Sequence, residues 1–134
     1  MKWVTREKAK VDRIACPWLI AKFVDPAAEF VFLPHDTDWR SITEGIVFDV
    51  PGVELGHHRE YCSFDAIIER YGLWQDPALD KLARIVRAAD TSLKDLGPEG
   101  IGLDAIADDF RRTNFRGSHG CPFGVNRVRV FVVQ

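Results

Sequence analysis

Residues 2–33, which read KWVTREKAKVDRIACPWLIAKFVDPAAEFVFL, contain the stretch that decides the fold. Lys2–Arg6 is short and carries a tryptophan and a valine, which indicates a β-strand. Residues 17–24 are mostly apolar and begin with proline, which is favoured at the first helical position, so we place a helix start there and Cys16 at or beside its N-cap. Glu29–Leu33 has apolar side chains on both faces, a pattern typical of a strand covered on both sides.

The rest of the chain predicts a third strand, three further helices and a final strand. One helix is marked by a serine N-cap and by apolar residues at i, i+3, i+4 and i+7, and the next by an Asp-Pro start. These elements are placed at residues 46–50, 63–71, 76–90, 103–110 and 127–133. The order predicts a single α/β domain, with a small, mostly parallel sheet of about three strands covered by about four helices.

Composition excludes several classes of protein. The chain has 134 residues, which fits one domain, and its formal net charge is −2. No apolar run approaches the roughly 18 residues of a membrane span, and the start lacks the apolar stretch of a signal peptide. We therefore expect a cytoplasmic protein without a membrane partner. The three cysteines are an odd number, which argues against a disulfide framework.

Charge is unevenly distributed along the chain. Residues 1–110 hold 13 Lys and Arg against 20 Asp and Glu, a net charge of −7, whereas residues 111–134 hold five Arg and no acid, a net charge of +5. A basic tail on an acidic body is compatible with a nucleic-acid arm or with a tail that folds back onto the body.

The residues best suited to chemistry follow the predicted strands. Cys16 and Cys62 each stand at a predicted helix N-terminus, where the helix dipole favours a thiolate, at the carboxyl edge of the sheet. His57 lies five residues before Cys62, and Asp90 or Asp49 supplies a carboxylate. Thiolates and an imidazole suit a divalent transition metal, with zinc the leading candidate. The alternative is that both thiols are small buried hydrophobes.

Two further expectations concern charged residues. Asp90 falls on the apolar stripe of its helix, so we expect it to be buried and paired with Arg13 or His57. Arg13 and the two helix N-termini form an alternative oxyanion site, in which the cysteines would act as redox groups.

Several segments together resemble a known family. The most specific is VDRIACPWLI at residues 11–20, and the others are WVTR, FDVPGVEL, His57, CSFD and the helix that ends in VRAADT. The sequence resembles the C-terminal domain of the ChrB-type chromate resistance proteins over roughly residues 1–112. Full-length members add an N-terminal region similar to DNA-binding domains, and they are proposed to sense chromate and control an efflux transporter.

The resemblance implies an accessory or sensor domain that binds a metal ion or the chromate oxyanion and does not by itself bind DNA. The alternative is a small thiol- or metal-dependent redox enzyme. The expected metal ligands are Cys16, His57, Cys62 and Asp90. The residue expected to bind an oxyanion is Arg13. The residues expected around them are Asp12, Asp49 and Glu54.

The tail at residues 113–134 departs from the family. Members would continue with an acidic stretch and a last helix that ends in a Tyr-rich segment, whereas this tail has neither acid nor tyrosine. We interpret it as an atypical basic tail produced by a reading-frame change near residue 114, which the coding DNA would test. Loss of the last helix would uncover core surface, so we expect a homo-oligomer.

Overall fold

The computed structural model describes residues 1–7, 11–90 and 98–112, with side chains described as far as residue 109. Three parallel strands form the sheet in the order β2-β1-β3; they are β1 (Lys2–Arg6), β2 (Glu29–Leu33) and β3 (Ile46–Val47). Trp3 on the central strand lies opposite Phe30 on one side and Ile46 on the other. The predicted α/β fold with a small parallel sheet is confirmed.

Within the described residues, four helices pack with this sheet. They are α1 (Val11–Leu19), α2 (Ser63–Arg70), α3 (Pro77–Asp90) and α4 (Pro98–Arg112), with a π-helical turn at Ile20–Val24 and 3₁₀ turns at Trp39–Ser41 and Leu73–Gln75. The predicted α2 and α3 are confirmed to within one residue, although Cys62 rather than Ser63 is the N-cap of α2. Within the described part of the chain, no helix is long and apolar enough to cross a membrane.

The hydrophobic core lies on one face of the sheet. Trp3 and Phe30 project into it and meet helix residues such as Phe64 and Val86, all at most 1% exposed. The prediction that β2 is covered on both sides is wrong for Val31, which remains half-buried. Successive side chains of a strand point to opposite faces, so Val31 lies on the face away from this core.

The first helix begins earlier than the sequence pattern predicts. α1 starts at Val11 and contains Pro17 in its interior, so the predicted start at Pro17 is wrong and Cys16 stands in mid-helix. Proline there removes the hydrogen bond to the carbonyl of Arg13, at a typical cost of about 3 kcal/mol. Residues 11–14 are all buried, and we infer that this burial outweighs the lost bond.

The third strand is shorter than predicted. It covers Ile46–Val47 rather than residues 46–50, although the Phe48 amide still donates to the Val4 carbonyl at 2.9 Å. The strand ends because Asp49 adopts a left-handed backbone, with φ at +50°. This turn carries the Asp49 side chain to the edge of the sheet where α1 and α2 begin.

The last described helix is longer than predicted. α4 begins at Pro98 instead of residue 103, because two glycines make its first turns resemble a loop. A Cβ added at Gly100 would lie 2.9 Å from the Cβ of Ala88, so glycine there permits close packing of α4 on α3. The predicted strand at residues 127–133, Cys121 and the basic tail all lie outside the described residues.

Candidate functional site

His57 is the centre of a cluster of carboxylates. Its Nε2 atom lies 2.8 Å from Asp90 Oδ2, 3.1 Å from Asp12 Oδ2 and 3.6 Å from Asp49 Oδ1. The three aspartate side chains are at most 7% exposed, whereas that of His57 is 43% exposed. Three buried carboxylates therefore converge on one nitrogen of a partly exposed imidazole ring.

Asp12 connects the first turn of α1 to the start of α2. Its Oδ2 accepts a hydrogen bond from the Ser63 amide at 2.9 Å, and its Oδ1 accepts a longer one from the Phe64 amide at 3.4 Å. These amides belong to the first turn of α2 and have no partner inside that helix. Asp12 thus caps α2 from a distant part of the chain, and the helix dipole favours its negative charge.

Asp49 accepts hydrogen bonds from the side chains of Arg13 and Ser63. Its Oδ2 accepts a hydrogen bond from Arg13 Nε at 3.1 Å, and its Oδ1 accepts one from Ser63 Oγ at 2.8 Å. Arg13 also donates from Nη1 to the Glu7 carbonyl at 2.7 Å. Two donors of Arg13 are therefore engaged by protein groups.

Proton affinities in the cluster are strongly perturbed. Burial raises the pKa of Asp12 to about 7, despite the opposing contact with His57. Burial also raises the pKa of Asp49, while the nearby charge of Arg13 opposes the rise. The hydrogen bonds of His57 to Asp12 and Asp90 raise its pKa to about 10. His57 is therefore protonated at neutral pH in the structure as it stands.

The thiols lie outside this cluster of ligand atoms. Within the described residues, three potential metal-ligand atoms lie within 4.8 Å of one another. They come from Asp12, Asp49 and His57, and neither thiol is among them. Cys16 and Cys62 are both 0% exposed, and burial raises the pKa of each thiol. They belong to the hydrophobic core, which matches the alternative of small buried hydrophobes.

Cys62 has a structural environment of its own. Its backbone amide and its thiol both donate to Asp65 Oδ2, at 3.1 Å and 3.2 Å. Arg87 holds the same carboxylate in a two-pronged contact at 2.7 Å and 2.9 Å, and its guanidinium lies 4.8 Å from the ring centre of Tyr61. These contacts fasten the start of α2 to α3.

The other predicted site residues divide between the cluster and the surface. Asp90 is buried and contacts His57, one of its two expected partners. Glu54 is 77% exposed at its side chain and contacts Arg70 at 3.4 Å. The neighbouring His58 turns away from the cluster and binds the Glu54 carbonyl at 2.7 Å.

The separations within the cluster suit one small cation. Adjacent ligands at about 2.1 Å from a six-coordinate ion are about 3.0 Å apart, and those around tetrahedral zinc are about 3.4 Å apart. The distances from His57 Nε2 to Asp12 and Asp49, 3.1 Å and 3.6 Å, fall near these values. The geometry is therefore compatible with a cation bound by one imidazole and two carboxylates.

A cavity of about 350 Å³ opens beside the cluster. Asp49, His57 and Asp90 form one wall, and the others come from two arginines and the turn after β3, namely Arg6, Arg13, Val50, Pro51 and Gly52. His57 and Asp49 both line the cavity, so a cation bound by them would lie close to a small molecule held there.

Comparison with known proteins identifies the family. Residues 3–119 match the family described as ChrB, C-terminal domain. The chain belongs to this family. Protein ChrB of Cupriavidus metallidurans is 32% identical over 106 residues, which make up 78% of this chain and 32% of that protein. The chain thus spans about a third of the length of this curated ChrB relative, and no solved structure matches it.

Membership of the ChrB C-terminal family confirms the resemblance seen in the sequence and is consistent with a place in chromate resistance. Sequence reasoning gave Asp49 as the alternative to Asp90 for the carboxylate ligand, placed Asp12 around the ligands, and missed Arg6. Asp12 carried a readable signal, since Cys16 and Leu19 follow it at i+4 and i+7 and both are fully buried. A carboxylate on such a stripe needs a partner.

Proposed function

We propose that this ChrB-type domain binds a divalent metal ion through His57, Asp12 and Asp49, with Asp90 beside them, and that it serves chromate resistance as a sensor or accessory domain. The observation that carries the proposal is the convergence of two carboxylates and one imidazole nitrogen within 4.8 Å. Ligands of these types suit zinc, manganese and iron(II). Zinc, the metal expected from the sequence, is therefore retained with a different ligand set.

Charge favours a cation at this position over the chromate anion. Three buried carboxylates surround His57 Nε2, and the guanidinium of Arg13 is paired with Asp49. An anion placed at the ring nitrogen would be repelled by the carboxylates, whereas a cation would relieve their mutual repulsion. We therefore propose a metal ion, and not the chromate anion, as the ligand at His57 Nε2.

The redox-enzyme alternative draws no support from Cys16 and Cys62, the two cysteines that the structure describes. A thiol that reacts with a substrate is a thiolate and is accessible, and chromate reduction would require both properties. Cys16 and Cys62 are fully buried, and burial raises the pKa of each. We therefore propose binding rather than thiol catalysis.

The pH dependence of zinc affinity tests the proposal. The metal must displace the proton of His57, whose pKa is raised to about 10, so affinity should increase about tenfold per pH unit between pH 7 and 8. Below pH 7, Asp12 is also protonated, and the increase should be steeper. Calorimetric titration of the purified protein with Zn²⁺ at pH 6, 7 and 8 measures both slopes.

The variants Cys16→Ala and Cys62→Ala are the controls for this titration. Both should retain the wild-type affinity and its pH dependence, because neither thiol is among the converging ligand atoms. Zinc binding that disappears in either variant, at an unchanged circular dichroism spectrum, would contradict the carboxylate–imidazole site in favour of the thiol site.

A further inference from the structure

Arg6 is a half-buried cation that the proposed metal site does not use. It is the last residue of β1, and its side chain lines the cavity beside His57. Its Nε atom is buried without a hydrogen-bond partner, and within the described residues it makes no ion pair. Buried donors in native proteins are nearly always paired, so this unpaired nitrogen shows that the protein does not fully satisfy the Arg6 guanidinium.

Arg13, the residue expected to bind an oxyanion, differs from Arg6 in this respect. Its guanidinium is engaged by Asp49 Oδ2 and by the Glu7 carbonyl. The charge of Arg6 also acts on Asp49, where it opposes the rise in pKa caused by burial, so Arg6 lies close to the cluster. Arg6 is thus the arginine with donor capacity left for a ligand in the cavity.

We infer that the cavity binds the oxyanion group of a small molecule, held by Arg6 next to the metal ion; this inference rests on the proposed function. The planar guanidinium presents paired donors that match the oxygens of a carboxylate or of a tetrahedral oxyanion. The remaining wall, formed by Val50, Pro51 and Gly52, carries no charge and accommodates the rest of the molecule.

The charges make anion binding dependent on the metal. The metal-free cluster places the carboxylates of Asp12, Asp49 and Asp90 close to the cavity. A divalent ion bound among them adds two positive charges at that position. An anion in the cavity is therefore attracted more strongly to the metal-loaded cluster, because the interaction at short range in a partly buried site is weakly screened.

The size of the cavity limits the ligand. A volume of about 350 Å³ equals that of about a dozen water molecules and lies at the lower end of small-ligand sites. A bare inorganic oxyanion fills part of this space, and a small organic acid fills more of it. Both kinds of ligand present negatively charged oxygens to Arg6. Sulfate serves as the probe for an inorganic oxyanion, and benzoate as the probe for an organic acid.

The experiment titrates zinc-loaded protein with sulfate and, separately, with benzoate. We expect saturable binding of at least one anion, at least about tenfold weaker in Arg6→Gln and in the metal-free protein. Tighter binding of benzoate would assign the cavity to an organic acid, and tighter binding of sulfate to an inorganic oxyanion. Arg84→Gln is the matched control, because its side chain is 73% exposed and should not affect either titration.

The outcomes separate this inference from the metal site. Zinc affinity is measured first in wild type, Arg6→Gln and Arg84→Gln, and equal affinities also show that the variants fold. If zinc binds but neither anion does, or if both bind Arg6→Gln as well as wild type, the inference is wrong and the metal site stands. If wild type does not bind zinc, the proposed function is wrong and the inference falls with it.

Discussion

Asp12→Ala should lower the free energy of unfolding by about 3–5 kcal/mol, the usual cost of removing one partner from a buried ion pair. The substitution leaves protonated His57 with one carboxylate fewer and deprives the amides of Ser63 and Phe64 of their acceptor. Loss of a helix cap alone costs about 1 kcal/mol. Urea denaturation at pH 8, where Asp12 is ionised and His57 is protonated, measures the change by circular dichroism.

The control for Asp12 is Asp80→Ala. Asp80 also contacts a basic side chain, that of Arg84 at 3.3 Å, but its own side chain is 51% exposed. Such a pair contributes less than about 0.5 kcal/mol, so Asp80→Ala should be nearly neutral. Equal and small effects of the two substitutions would show that Asp12 does not join α1 to α2 as the structure describes.

His57→Ala should reduce zinc affinity by about 100-fold or more. The substitution removes the single ligand atom on which the carboxylates converge, and even a residue that only orients a ligand typically contributes 10-fold to 100-fold. The adjacent His58 offers a matched control, because its Nε2 contacts the Glu54 carbonyl instead of the cluster. Calorimetry at pH 8 should therefore separate His57→Ala from His58→Ala.

Equal zinc affinities of the His57 and His58 variants would contradict the site. A loss in both would indicate that the whole loop around residues 57–61 is needed, and the assignment to His57 alone would be wrong. Near-native circular dichroism of His57→Ala distinguishes a lost ligand from a lost fold. His57→Ala removes the cationic partner of the buried carboxylates, so the spectrum is compared with that of His58→Ala before zinc is added.

The sequence was sufficient for those elements whose local signals agree with their packing. β1 and β2 were predicted with their observed bounds, and α3 was marked by an aspartate before proline and by an apolar stripe. In these segments, turn chemistry, periodicity and burial point to the same structure. The α/β fold could therefore be predicted from the amino-acid sequence alone.

The errors arose where one local signal opposed tertiary packing. Pro17 is a good helix starter, yet residues 11–14 are buried and the helix begins six residues before it. Gly100 resembles a loop residue, yet it allows α4 to approach Ala88 closely. In both places the decisive contacts come from distant residues, which a local pattern does not contain.

The sequence brought part of the cluster around His57 together, but not all of its members. His57 and Asp90 were expected near the carboxyl edge of the sheet, and they are in contact. Both thiols were expected to bind the metal because cysteine is a strong metal ligand. Because α1 begins at Val11 instead of Pro17, Cys16 lies in the core and not at a helix N-terminus. The left-handed turn at Asp49, which positions its carboxylate, has no clear signal in the sequence.

X-ray absorption at the zinc edge of the zinc-loaded protein tests the central claim most directly, because it distinguishes sulfur from lighter ligands. The account predicts a first shell of nitrogen and oxygen at about 2.0–2.2 Å from zinc, with no sulfur. The carboxylates of Asp12 and Asp49 and the imidazole of His57 would supply that shell. A sulfur shell at about 2.3 Å would show that a thiol binds the metal and would contradict the account.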